Sequence, residues 1–146
     1  MTEGIWAIPT HRIDATTARR TILIQHQRIR ALLEHAREIA ENALDAKPMP
    51  AYAVATAIGD IHATLETHLR FEEKVLTDLW ADALPEGPAR ALRLLEEHAR
   101  QRATLASLHD QARTGPWVPL LAAKLAFLTS WLLDDMAEEE RTVLTA

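Results

Sequence analysis

His68 and Glu72 stand four residues apart, as do Asp135 and Glu139. On a helix that spacing puts both members of a pair on one face, where they can grip one metal ion or bridge two. His26 and His98 add further imidazoles. Three imidazoles and three carboxylates make a nitrogen–oxygen donor set suited to iron, manganese or zinc. Cysteine is absent, which removes thiolate nucleophiles, disulfides, zinc fingers and iron–sulfur ligation. What singles these six out is their setting, for each interrupts a row of Leu, Ile, Val and Ala. His26, His68, Glu72, His98, Asp135 and Glu139 all stand in such rows, and because an unpaired carboxylate in an apolar core costs several kcal/mol even after relaxation, the three acids among them call for compensating positive charge. No lysine in those rows supplies it, whereas two divalent ions would.

The rows imply the elements that must carry them. Three Pro/Gly clusters punctuate the chain, at Ala46-Lys47-Pro48-Met49-Pro50, Leu84-Pro85-Glu86-Gly87-Pro88 and Gly115-Pro116-Trp117-Val118-Pro119, and such residues end helices. Between them lie four segments without internal proline, 16–46, 51 to about 83, 89–114 and 119–144. Each steps by three and four. The rows are Ile22, His26, Ile29, Leu33, Ala36, Ala40, Ala43; then Ile58, Ile61, Leu65, His68, Glu72, Val75, Leu79; then Leu94, His98, Gln101, Leu105, Leu108, Ala112; and Leu121, Leu125, Leu128, Leu132, Asp135, Glu139, Thr142. The expected fold is all-α, an antiparallel up-down four-helix bundle over 16–146, preceded by an apolar N-terminal arm over 1–15 that lies across it. Distance from the turns places the six at matching heights. His26 lies 22 residues before Pro48, with His68 and Glu72 20 and 24 after it. His98 lies 18 before Pro116, with Asp135 and Glu139 19 and 23 after it. At ~1.5 Å per residue all six converge within one or two helical turns.

Other features narrow the function. One domain fits 146 residues, and a net charge of −5 argues against nucleic acid or an anionic membrane surface as partner. The N-terminus does not read as a secretory signal and no stretch reaches membrane-spanning length, so a cytoplasmic protein is expected. Ferritin-like bundles use Glu-x-x-His, and no histidine here has a glutamate three residues before it. His62 flanks the second row and is a lesser candidate as ligand or support. His109 is too far along its helix to share an ion with His98, His35 faces outward, and His11 falls in the arm. Phe71, Trp131 and Arg102 read as packing or surface residues, with Arg102 also a candidate partner for a carboxylate. Asp134 and Glu138 are the rivals of Asp135 and Glu139 within the charge run that ends the chain.

The pattern resembles the hemerythrin-like family, the HHE cation-binding domain, over nearly the whole chain. The resemblance rests on His26 in Gln25-His26-Gln27-Arg28-Ile29-Arg30, His68-x-x-x-Glu72-Glu73, Glu97-His98, the acidic Glu138-Glu139-Glu140, and the apolar arm. It implies a dinuclear non-haem iron centre, bridged by carboxylates and an oxo or hydroxo group, with manganese or zinc ranking behind iron. It also implies an open position for dioxygen, peroxide or nitric oxide, hence binding or sensing of a small oxidant, with peroxidase- or catalase-like turnover as the enzymatic variant. Asp135 stands where the family's fourth helix has histidine, and Leu94 and Arg102 stand where oxygen carriers add a second histidine beside His98. Both departures weigh against reversible oxygen carriage and toward redox chemistry, sensing or plain metal binding. The iron–sulfur repair members carry a cysteine segment this chain lacks. The competing expectation is a metal-free or mononuclear bundle serving as a structural, interaction or metal-binding module.

Overall fold

The computed structural model describes residues 2–50, 52–83, 85–115 and 117–142. A short 3-10 turn, Thr2–Ile5, leads to four helices: α1 (Ala15–Leu44), α2 (Ala53–Ala83), α3 (Gly87–Arg113) and α4 (Val118–Thr142). No strand occurs among the described residues. Each boundary falls within about two residues of the punctuation. Asp14 caps α1, one carboxylate oxygen accepting from the Thr17 backbone N–H at 2.7 Å and the other from its hydroxyl at 3.1 Å. The helix stops at Leu44, short of the expected residue 46, because Ala46 takes a left-handed φ of 55°. α3 starts at Gly87, before the expected residue 89, with a proline in its first turn where no N–H is needed. Expected boundaries at Ala51 and Leu144 lie outside the described residues.

Cross-helix contacts run antiparallel. Arg102 of α3 reaches Glu66 of α2 while His98 reaches Glu73, and Gln101 and Gln111 of α3 meet Asp135 and Lys124 of α4. The structure is an up-down four-helix bundle. α1 packs against α2 and α4, and α2 against α3; the α3–α4 seam is much looser.

The apolar interior comes in two parts. A large cluster runs from Ala40 and Val54 at one end to Leu69, Leu132 and Met136 near the middle. A smaller one at the other end holds Ala18, Ile22, Phe71, Val75, Leu76, Trp80 and Leu94. Gln25 and His26 on α1, and His98 and Gln101 on α3, all buried, lie between the two clusters in sequence; on α2 the buried His68 and Glu72 flank the junction where Leu69 of the larger cluster gives way to Phe71 of the smaller. The segment before α1 touches the bundle at two points. The Ile5 carbonyl accepts from the Gln25 side-chain amide, and Trp6 packs on the larger cluster.

Gly87 is required where α3 begins. A Cβ there would stand 1.9 Å from the Trp80 carbonyl oxygen, closer than any packing adjustment of a side chain could relieve, because the obstacle is backbone.

Candidate metal centre

Each imidazole in the polar layer is held from behind by a different residue. His26 Nδ1 lies 2.7 Å from Glu140 Oε2, His68 Nδ1 2.6 Å from Gln25 Oε1, and His98 Nδ1 2.9 Å from Glu73 Oε2. Since these partners accept, each Nδ1 carries the proton and donates. That leaves Nε2 as the inward atom on all three rings. The outer carboxylates are themselves anchored. Arg30 donates to Glu140 at 2.6 Å, and Arg102 grips both oxygens of Glu73 at 2.6 and 2.9 Å while also reaching Glu66. Charge on the outer ring is thereby neutralised by arginine, leaving the inner acids to face imidazole nitrogens.

Glu72 is the hub. One of its oxygens lies 3.3 Å from both His68 Nε2 and His98 Nε2, and the other 3.8 Å from His26 Nε2. Glu139 Oε1 lies 3.0 Å from His26 Nε2. Yet His26 Nε2, Glu72 Oε2 and Glu139 Oε1 are buried without a well-formed hydrogen bond. Buried polar atoms are almost always satisfied, so three unsatisfied ones aimed at one point mark a place built for something that accepts lone pairs. Donor atoms of His26, His68, Glu72 and Glu139 all fall within 4.8 Å of one another. The six candidates share the wall of one cavity of about 10 Å³, completed by Leu65, Leu69, Gln101, Leu132 and Met136. Its donor chemistry and its size fit a cation and little else.

Protonation shows the same frustration. Burial alone would drive the proton off His26, but the nearby Glu139 and Glu72 oxygens outweigh it and raise its pKa to about 10. Burial likewise opposes ionisation of Glu72, yet the adjacent His68 and His26 hold its carboxyl well below the usual range. Glu139 goes the other way, pushed well above that range by burial and by the Glu72 charge. His98 is raised as well, burial being overcome by Glu72 and Glu73.

A model of the hemerythrin HHE cation-binding domain matches residues 17–146. The chain belongs to that family. Neither a curated protein nor a solved structure gives a significant match. Family membership and the clustered donors agree on cation binding as the shared property.

The sequence-derived residues divide within this layer. His26, His68, Glu72 and Glu139 form the compact group, and His98 joins through Glu72. Asp135 lines the cavity but its Oδ2 accepts from the Gln101 amide at 2.7 Å. Asp134 is exposed, and Glu138 is exposed and paired with Arg141, so both rivals point away. His62 does not reach the layer; it stacks on His109 with ring centroids 4.6 Å apart. Phe71 packs in the smaller apolar cluster and Trp131 against the larger one. Arg102 turns out to be the clamp on Glu73.

Four supporting residues escaped the sequence reading. Gln25, Glu73 and Glu140 each adjoin a candidate in sequence, one position off the row, where a polar residue reads as solvated. Gln101 lay in the third row itself. Its amide among leucines was the available signal.

Proposed function

We propose that this chain holds a dinuclear non-haem iron centre through His26, His68, Glu72, His98, Asp135 and Glu139, and binds or senses a small oxidant there. The observation that carries the reading is the common orientation of the three imidazoles, each with Nδ1 secured from outside and Nε2 turned inward toward the Glu72 and Glu139 carboxylates. Glu72, in reach of all three, suits a bridging role, and Glu139 a second bridge. Iron bound there supplies redox equivalents and an open position for dioxygen, peroxide or nitric oxide. The protein's own contribution is to fix the imidazole tautomers and to exclude bulk water with Leu65, Leu69, Leu132 and Met136.

One observation favours a mononuclear alternative: His26, His68, Glu72 and Glu139 are compact while Asp135 is committed to Gln101. Total-metal analysis with an absorption spectrum on freshly purified protein decides. Two irons per chain with near-ultraviolet charge-transfer bands support the dinuclear reading. One ion per chain supports the alternative, and a fully folded protein without metal after growth in iron-rich medium defeats both. Peroxide consumption that disappears in His68→Ala would make the protein an enzyme; a spectrum that responds to oxygen or nitric oxide without turnover would make it a sensor or carrier.

A further inference from the structure

A second cavity, of about 360 Å³, opens along α3 beside the end of α2 and reaches Thr142 of α4. Arg90, Arg93 and Arg100 line it, together with Trp80 and Leu94. Their spacing of three and seven residues keeps the arginines on one stripe of α3. The other arginines of the polar layer are committed to carboxylates, as Arg30 is to Glu140 and Arg102 to Glu73. Among the described residues these three have no carboxylate at salt-bridge distance, and Arg90 instead lies over the Trp80 ring at 5.5 Å. Glu96 and Glu97 share the lining, so three fixed cations face two acids. In a chain of net charge −5, that is a local excess of guanidinium around a concave space, and guanidinium forks match the oxygens of phosphate and carboxylate in pairs.

We propose that this cavity binds a small oxyanion carrying a flat apolar substituent, with Arg93 and Arg100 meeting the oxygens and the Trp80–Leu94 wall taking the substituent. The volume is at the lower end of ordinary small-ligand pockets and accommodates a phosphate with one ring. The site is separate from the cavity in the polar layer, whose lining it does not share.

Phenyl phosphate, inorganic phosphate and phenol, titrated calorimetrically into the full chain as purified, test the proposal. Saturable binding of one phenyl phosphate per chain is expected, about tenfold tighter than inorganic phosphate because of the apolar wall, weakening as salt rises. Phenol should bind more weakly than phenyl phosphate. The double variant Arg93→Gln/Arg100→Gln, both positions exposed, should lose binding at least about tenfold while its helicity and metal content stay those of the wild type. Absence of saturable binding, equal binding of phenol, or unchanged affinity in the double variant would overturn it. Because metal content is measured on the same samples, failure here is distinguishable from failure of the metal-centre reading.

Discussion

Gln25 joins the arm to the metal centre, and replacing it with leucine of similar bulk tests both ends at once. The residue is fully buried; its oxygen accepts from His68 Nδ1 and its amide donates to the Ile5 carbonyl. Gln25→Leu strands a buried donor and an acceptor, at ~1–3 kcal/mol each. The Ile5 end is only half-buried and water can replace the amide there, which puts the expected loss near 2–4 kcal/mol. With His68 no longer held, metal affinity should fall about 10- to 100-fold. Gln25→Glu separates the effects: it keeps an acceptor for His68 Nδ1 and so keeps metal affinity, but has no donor for Ile5, so amide exchange over the arm accelerates. Urea unfolding of the metal-free protein, chelator-competition titration and hydrogen exchange read the three quantities. A Gln25→Leu protein that is less stable yet binds metal as the wild type does would refute the claim that His68 presents Nε2 inward as a ligand.

Loading the centre should release protons, because His26, with its pKa near 10, and Glu139, raised well above the carboxylate range, hold them at neutral pH; calorimetry in buffers of differing ionisation enthalpy should show release and tighter binding as pH rises. In the metal-free protein the raised His26 pKa contributes stability fully below its unfolded value of about 6.5 and loses it as pH climbs toward 10, so the urea midpoint should decline over that window. Glu139→Gln removes an acid that Glu72 opposes, and should leave metal-free stability at pH 8 equal or higher while metal affinity drops at least about tenfold, measured by chelator competition. Gly87→Ala forces a Cβ onto the Trp80 carbonyl and should cost about 3 kcal/mol or more in urea unfolding with metal stoichiometry unchanged.

The bundle and the inner ring were readable because both are periodic. Leu and Ile at steps of three and four reveal a buried face, and a His or Glu inside such a row is conspicuous by its company. Residues behind the ring are not periodic. Glu73 and Glu140 sit about 100° round the helix from Glu72 and Glu139, in stretches whose charge density also suits open solvent, and only the position of Arg102 and Arg30 on neighbouring helices makes them structural. Asp135 was readable as inward-facing, but its engagement by Gln101 depends on the approach of α3 to α4, which no single helix encodes. The His62–His109 stack is of the same kind, two half-buried rings from α2 and α3 meeting across an interface.

The division of the oily interior into two compartments has a consequence for alignment of the rods. Sliding any helix by one turn, about 5.4 Å, would push Glu72 or an imidazole into aliphatic surroundings and leave Gln25, Glu73 or Glu140 with nothing to hold. Leucine contacts tolerate such slippage far better than these fixed pairings do. The residues gathered for chemistry thus also serve as the notch that tells each helix where along its neighbours to stop.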